Sequence, residues 1–231
     1  MIAVVSSTIK PLTESQRTSF YSFEERLEQT KKTLVRLQEC GFKEIYLADN
    51  SPELDQQQLQ DLLSGFKTLR PFHVRLYQFA NKGVSELMML LYLTGLLPRE
   101  QAIFKISGRY YPTADFKKPA FEDFAVKGYH FPKRTGTIST RAYWVKDSDT
   151  FHRFLLQTLA EVYAYPERIV GVGSFFRQVF GKKKEAGQLN ISIEFAAANV
   201  LKQGAFKINL LDNLGIEGLV AGADAYEKIH E

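Results

Sequence analysis

The chain has 231 residues, of which 45% are hydrophobic and 24% charged, a composition typical of one large soluble α/β domain. A net charge of +4 slightly favours anionic ligands but is too small to indicate nucleic-acid binding. A single cysteine excludes an internal disulfide framework. Residues 1–10 lack the features of an export signal, and the longest apolar stretch, residues 87–97, is too short to span a membrane. We therefore expect a cytoplasmic protein.

The first fifty residues predict a βαβ unit. Residues 1–8 form a β-branched run that ends in three hydroxyl residues, Ser6, Ser7 and Thr8. A helix follows, with one apolar face made of Phe23, Leu27, Leu34 and Leu37. The second strand, within residues 42–51, ends in Asp49, Asn50 and Ser51. Because open α/β sheets bind ligands at the carboxyl ends of their strands, both polar clusters are expected at one site.

The alternation of strands and helices continues to residue 112. A helix is predicted over residues 54–69, a strand over residues 72–79, and a strongly apolar helix over residues 86–97. The triplet Asn81, Lys82 and Gly83 breaks the chain before this last helix. Such an alternation is typical of a doubly wound sheet.

The stretch 102–112 combines a short apolar strand with a polar ending. The strand breaks at Ser107 and Gly108, and a cation and two aromatic residues follow directly, Arg109, Tyr110 and Tyr111. Glycine permits close approach of the backbone to a ligand, arginine suits phosphate or carboxylate, and tyrosine offers a stacking face. The pattern predicts a binding site; the alternative is an ordinary turn in which Arg109 forms a structural ion pair.

The second half of the chain has a different pattern, which predicts antiparallel strands and three helices. The predicted elements are strands at residues 128–131 and 137–145, a helix at 151–165, a short helix within 169–184, a helix at 193–201 and a short strand or turn at 219–222.

This order of elements and polar clusters resembles the nucleotide-sugar-dependent glycosyltransferases of the GT-A architecture, well over residues 1–115 and loosely beyond. The resemblance implies a single α/β, Rossmann-like domain with a mostly parallel central sheet flanked by helices and a smaller antiparallel subregion on the acceptor side. Residues 1–115 would form the half that binds the nucleotide sugar, and residues 116–231 the acceptor-side half of the same domain.

The resemblance also implies which residues bind the donor. They lie at strand ends and at the turn before the apolar helix: Ser6, Ser7, Thr8, Asp49, Asn50, Ser51, Asn81, Lys82, Gly83, Lys105, Ser107, Gly108, Arg109 and Tyr110.

Where this family usually carries a metal-binding Asp-x-Asp, this chain carries Ser107, Gly108 and Arg109, with no carboxylate until Asp115. The sequence therefore supports no divalent metal or other cofactor. A metal-independent transferase is expected, in which Lys105 and Arg109 neutralise the leaving phosphate, including one that uses a nucleoside monophosphate sugar. The alternative for Lys105 is a pair with an acid such as Glu86.

On the acceptor side, the start of the late helix at Ser192 and Glu194 is similar to the place where family members carry a catalytic base. Glu194 is therefore the candidate base, and the alternative is an acid that only caps the helix. The candidate acceptor-binding residues are His130, Arg134, Arg141 and Trp144. For His130 the alternative is a packed residue beside Phe131.

A basic segment near residue 180 predicts weak contact with an anionic membrane surface, which would make the protein peripheral at the inner face of the membrane. It consists of Lys182, Lys183 and Lys184 beside aromatic residues. The alternative is a solvated loop.

The predicted function is transfer of a sugar from a nucleotide sugar to a glycan or lipid-linked acceptor, in bacterial-type surface polysaccharide or glycan synthesis. One alternative is a non-catalytic nucleotide-binding domain, because the Asp-x-Asp is missing. Another is a nucleotidyltransferase, although residues 6–11 lack the glycine-rich loop that such enzymes need after the first strand. No motif of a Rossmann oxidoreductase, a serine hydrolase or a zinc enzyme is present in the sequence.

Overall fold

The computed structural model describes residues 1–11, 21–75, 82–131, 133, 136–164, 191–219 and 228–231. Within these residues the chain forms five helices: α1 (Phe23–Glu39), α2 (Gln56–Leu62), α3 (Lys82–Thr94), α4 (Ser148–Ala164) and α5 (Ile193–Lys202). The strands of the same residues are β1 (Ile2–Ser7), β2 (Ile45–Asp49), β3 (Leu69–His73), β4 (Ile103–Ser107), β5 (Tyr110–Pro112), β6 (Phe124–Tyr129), β7 (Thr137–Ile138), β8 (Ala142–Val145), β9 (Ile208–Leu211), β10 (Ile216–Leu219) and β11 (Lys228–His230). No helix in this part of the chain is long and apolar enough to cross a membrane.

Eight of the described strands form one mixed sheet in the order β3-β2-β1-β4-β8-β6-β7, with β9 paired to β6. Strand β1 lies parallel to β2 and β4, and β2 lies parallel to β3, so the carboxyl ends of these four strands share one edge. Strand β8 lies antiparallel to both of its neighbours, β4 and β6. The predicted α/β class, with a mostly parallel central sheet flanked by helices and a smaller antiparallel sheet, is confirmed.

Helices cover both faces of the large sheet. In β1, Ala3 and Val5 pack with the apolar residues of α1 and α2, whereas Ile2 and Val4 pack with those of α3, α4 and α5. A strand that is buried on both faces reads as a continuous apolar run, which is the pattern that predicted a central position for β1.

Helix α1 begins at a capping box. Ser22 caps the helix by accepting a hydrogen bond from the Glu25 N–H, and the Glu25 carboxylate accepts one from the Ser22 N–H. The helix ends before Gly41, whose φ of 83° favours glycine. In a βαβ unit this arrangement brings the first turn of α1 to the carboxyl edge of β1.

Several predicted boundaries between residues 54 and 97 are wrong. Helix α2 ends at Leu62 instead of residue 69, because residues 63–68 form turns closed by hydrogen bonds such as Phe66 N–H to the Leu63 carbonyl. Strand β3 begins at Leu69 instead of residue 72, and it contains Pro71, which an edge strand tolerates. Helix α3 begins at Lys82, four residues before its predicted start, and ends at Thr94, three before its predicted end.

A small sheet, β11-β10-β5, joins the large one through β5, which follows β4 after only two residues. Strands β5, β9 and β11 were not predicted, and β10 ends at Leu219, where a short strand was expected to begin. These strands have three or four residues each, and their pairing partners are distant in sequence: Tyr110 pairs with Gly218. The residue pattern of so short a strand does not indicate which distant strand it pairs with.

Candidate functional site

A cleft of about 160 Å³ lies at the carboxyl ends of β1 and β4. Its lining comes from these two ends, from the residue after β2, from α1, from the N-terminal half of α3 and from the turn after β4: Ser6, Ser7, Thr8, Arg26, Thr30, Asn50, Lys82, Glu86, Met89, Ser107, Gly108 and Arg109. Eight of these residues are among the predicted donor-binding residues, and the structure brings them together. Asn81, between β3 and α3, lies outside the described residues.

Asp49 supports the cleft from behind. Its carboxylate accepts hydrogen bonds from the Ser7 hydroxyl at 2.6 Å and from the N–H groups of Ile9 and Ser51, both at 2.8 Å. Asp49 is fully buried and is not part of the cleft lining. Asp49 therefore lies behind the predicted donor site, and its hydrogen bonds to Ser7 and Ile9 fix the conformation of the loop after β1.

Further hydrogen bonds hold the residues that follow β1 and β2. The buried Ser51 accepts a hydrogen bond from the Lys10 N–H at 2.8 Å, and the Thr8 hydroxyl donates to the Asn50 side chain at 2.5 Å. Arg26 on α1 donates to the Thr8 carbonyl at 2.5 Å. The ends of β1 and β2 and the first turn of α1 are thus held as one unit.

Gly108 allows the turn after β4 to lie directly against β1. Its N–H donates to the Ser6 carbonyl at 2.8 Å. A Cβ at this position would lie 3.2 Å from both the Ser7 Cβ and the Thr30 Oγ1, tighter than ordinary contact. Glycine here lets the backbone line the cleft, as the sequence predicted.

Several cationic groups line the cleft. Burial, and then the positive charge of Arg109, lower the pKa of Arg26 to about 10, so the two guanidinium groups are close enough to repel each other. The Nη1 atom of Arg109 is buried and has no hydrogen-bond partner in the described part of the chain. Lys82 adds a further cation at the N-terminal turn of α3, whose dipole also favours anions. Together these groups can bind an anion such as a phosphate.

An acid, Glu86, faces the same cleft. Its Oε1 accepts hydrogen bonds from the Ser6 hydroxyl at 2.7 Å and from Lys105 Nζ at 2.6 Å. Lys105 is almost completely buried, and its ammonium also donates to the Thr140 carbonyl at 2.6 Å. The structure thus shows the alternative considered for Lys105, a pair with Glu86, and it places Lys105 beneath the cleft and outside its lining.

This donor set does not fit a divalent cation. The Glu86 carboxylate is paired with Lys105, and the guanidinium groups in the same lining would repel a metal ion. Within the described ranges, no group of three or more His, Cys, Asp or Glu residues is placed to hold a metal.

A second, more open hollow of about 580 Å³ contains two of the predicted acceptor-side residues, Arg141 and Glu194. Glu194 lies in the first turn of α5, where Ser192 caps the helix and the Thr140 hydroxyl donates to the carboxylate at 3.2 Å. Arg141 donates to the hydroxyls of Tyr110 and Tyr129, each at 3.2 Å, and forms an ion pair with Glu231. The sequence motifs did not indicate Glu231 or Tyr129.

Other predicted contact residues are placed elsewhere. Trp144 is 1% exposed and stacks or packs against Phe42, Phe104 and Phe116, with ring centroids 4.8–6.1 Å away. The prediction that Trp144 contacts an acceptor is corrected, because a ring in the centre of the aromatic core has no face left for a ligand. Tyr110 is also buried, below the cleft.

The remaining acceptor-side predictions are not brought to either hollow. His130 is exposed at the end of β6, has a φ of 55°, and lines neither of them. Arg134 and the lysines Lys182, Lys183 and Lys184 lie outside the described residues, so the predicted membrane contact stays a prediction.

Four cleft residues were missed by the sequence analysis: Arg26, Thr30, Glu86 and Met89. A signal for two of them was available. In a βαβ unit each helix begins at the carboxyl edge of the sheet, so charged residues in the first turns of a crossover helix lie near the site. Arg26 and Glu86 are the fourth and fifth residues of α1 and α3.

No protein-family model matches the chain, and no curated protein is significantly similar to it in sequence. Similar solved structures include the apo form of the glycosyltransferase GlyE of Streptococcus pneumoniae TIGR4, with a TM-score of 0.48 and 11% identity over 90% of this chain and 44% of that chain. A second GlyE structure has a TM-score of 0.45 and 11% identity over 78% of this chain and 44% of its own.

Another similar structure is the nucleoside-diphosphate-sugar pyrophosphorylase of Vibrio cholerae RC9, with a TM-score of 0.47 and 10% identity, covering 94% of both chains. This chain spans less than half the length of the GlyE chains. Similarity at this level assigns no activity to the chain.

Proposed function

We propose that this chain is a nucleotide-sugar-dependent glycosyltransferase whose donor phosphate lies beside Arg26 and Arg109. The observation that carries the proposal is the pair of mutually repelling guanidinium groups at the carboxyl ends of parallel strands, one of them with a buried, unpartnered nitrogen. Holding two cations together costs free energy, and a bound anion offsets that cost. A small rotation of Arg109 toward a phosphate would also give its Nη1 atom a hydrogen-bond partner.

The same groups suit the chemistry of the leaving phosphate. As the bond between the sugar and the phosphate breaks, negative charge grows on the phosphate oxygens. Fixed donors that already point at this position stabilise the transition state more than the ground state. Arg26, Arg109 and Lys82 supply that positive charge, and the hydroxyl of Ser107 supplies a neutral hydrogen-bond donor.

The acceptor, a glycan or a lipid-linked sugar, would occupy the open hollow in the half formed by residues 116–231. The two sites are adjacent, because the Ser107 N–H at the cleft donates to the carbonyl of Arg141 at the hollow, at 2.8 Å. In an inverting reaction Glu194 would accept the proton of the attacking hydroxyl. A role in bacterial-type surface polysaccharide or glycan synthesis is part of the same proposal.

The proposal is tested by nucleotide binding, measured by titration calorimetry against uridine, guanosine, thymidine and cytidine phosphates, with and without Mn²⁺. The wild type should bind at least one of them. Arg109→Ala should weaken that binding by about 1.5–3 kcal/mol, the range for hydrogen bonds to charged groups. Arg70→Ala is the matched control, because this exposed arginine pairs with Glu44, directly before β2, and is not part of the cleft lining.

If no nucleotide binds, or if Arg109→Ala binds as tightly as the wild type, the cleft is not a phosphate site. If a nucleotide does bind, hydrolysis of the nucleotide sugar that contains it is measured with and without a chelator. This assay separates a transferase from a non-catalytic nucleotide-binding domain. A transferase should release free sugar slowly, and chelation should leave the rate unchanged.

A further inference from the structure

We propose that Glu86 accepts hydrogen bonds from hydroxyl groups of the sugar that the donor carries, and so selects which nucleotide sugar the cleft takes. This assignment rests on the proposed function, and it names a specificity residue that the sequence motifs did not indicate.

The two oxygens of the Glu86 carboxylate have different surroundings. Oε1 accepts both the Ser6 hydroxyl and the Lys105 ammonium. Oε2 has no hydrogen-bond partner among the residues that the structure describes. The side chain of Glu86 is 23% exposed and that of its partner Lys105 is 1% exposed, so the acid end of the pair is the end that faces the cleft.

A carboxylate that served only as a counterion for Lys105 would not need this orientation. Ser6 donates to the same oxygen as Lys105, and the two donors together fix the rotamer of Glu86. The second oxygen is then left as an acceptor with no partner in the described part of the chain. An ionised carboxylate has no proton to donate, so the ligand group that complements it must be a donor, such as a sugar hydroxyl.

The lining of the cleft therefore carries both charges. Arg26 and Arg109 are cationic, Glu86 on α3 is acidic, and Lys82 is a further cation one turn before Glu86. Arg109 and Glu86 act on each other electrostatically, but within the described residues they form no direct ion pair. A molecule that joins a phosphate to a sugar ring can contact both kinds of group, whereas a free nucleotide lacks the hydroxyls of the donor sugar.

The test compares each nucleotide with its sugar conjugate: UDP with UDP-glucose, GDP with GDP-mannose, and CMP with CMP-N-acetylneuraminic acid. Glu86→Gln should weaken binding of the preferred nucleotide sugar about ten- to a hundredfold and leave the free nucleotide within about twofold. Glu122→Gln is the matched control, because it makes the same change in an exposed acid that also pairs with a lysine, Lys207. It should alter neither affinity.

A second measurement varies the sugar and compares the wild type with Glu86→Gln. Deoxy and fluoro analogues of the preferred sugar should identify one or two hydroxyls whose loss costs about tenfold in affinity, and the same analogues should cost Glu86→Gln nothing further. If Glu86→Gln weakens nucleotide and nucleotide sugar equally, or if no hydroxyl matters to the wild type, Glu86 is only the counterion of Lys105. If the wild type binds no nucleotide at all, the proposed function itself is overturned.

Discussion

Lys105 and Glu86 form a charge pair in which the lysine is 1% exposed and the acid 23% exposed. The buried ammonium donates to Glu86 and to the Thr140 carbonyl, and it lies 5.5 Å from the centroid of the Tyr143 ring. Removing a charged group from water costs several kcal/mol, and this cost is offset only while the partners remain. The pair therefore contributes to stability as well as to the charge of the cleft.

The pair predicts a pH dependence of stability. Burial raises the pKa of Glu86, but the charge of Lys105 and the hydrogen bonds from Lys105 and Ser6 outweigh burial and hold this pKa below its ordinary value of 4.5. A folded-state pKa below the unfolded one means that the stabilisation is present above pH 4.5 and is lost as the pH falls through the folded pKa. Urea unfolding of wild type and Glu86→Gln should thus differ most near neutral pH, with a difference that shrinks below pH 4.5.

The control for this experiment is again Glu122→Gln, whose acid and lysine partner are both exposed. It should show no comparable pH-dependent difference from the wild type. A gap between wild type and Glu86→Gln that stayed constant from neutral to acid pH would mean that the ionised form of Glu86 is not the source of the stability.

Among the elements, the turn between β4 and β5 depends on a glycine in a distant strand. Gly218 of β10 pairs with Tyr110 of β5 and lies against the backbone carbonyl of Arg109. A Cβ on Gly218 would overlap that carbonyl and would lie 2.9 Å from the Tyr110 Cα. The position of Arg109 in the cleft is therefore set in part by the small sheet.

Gly218→Ala should consequently lower both stability and nucleotide affinity. Overpacking of this kind costs about 1–3 kcal/mol in unfolding free energy, measured by urea denaturation. Because the substitution displaces Arg109, nucleotide binding should weaken in parallel, measured by calorimetry. Gly65→Ala is the control, since a Cβ there has no atom within 4 Å. Normal nucleotide affinity in a folded Gly218→Ala protein would show that the small sheet does not position Arg109.

Across the whole molecule, a buried polar network ties the small sheet to the large one. The Glu231 carboxylate accepts hydrogen bonds from Tyr129, Ser139 and Arg141, and its backbone pairs with Ile216. Burial, and then the hydrogen bond to Glu231 and its charge, raise the pKa of Tyr129 to about 12, so this tyrosine stays a hydrogen-bond donor near neutral pH.

Glu231→Ala should loosen this connection, because it leaves Arg141 without its buried partner. Breaking a buried ion pair costs about 3–5 kcal/mol. We expect faster amide hydrogen exchange in β10 and β11, with β1 and β2 less affected, measured by mass spectrometry. An unchanged exchange rate in β10 would place the connection between the sheets in other contacts, such as the strand pairing of β5 with β10.

The general layout was predictable from sequence because it follows from local patterns. The β-branched run of β1, the apolar face of α1 and the apolar strand β4 all lie where the pattern placed them. The residues at the ends of β1 and β4 were predicted to lie close together, and they line one cleft. Parallel strands joined by crossover helices leave no other edge for them.

Contacts between distant parts of the chain could not be predicted in the same way. The sequence around Trp144 does not show whether its ring faces an acceptor or lies in an aromatic core. Its packing against Phe42, Phe104 and Phe116 shows that it lies in the core. Likewise the residues of β10 show no pattern that indicates Tyr110 as a partner.

The sequence by itself thus determined the α/β class and the meeting of the polar ends of β1 and β4 at one cleft, because periodicity and strand polarity are local properties. Tertiary structure alone decided the charge arrangement within that site. It paired Lys105 with Glu86 across 19 positions and brought Arg26 beside Arg109. Electrostatic interactions depend on distance and burial, and neither can be read from the spacing of charged residues along the chain.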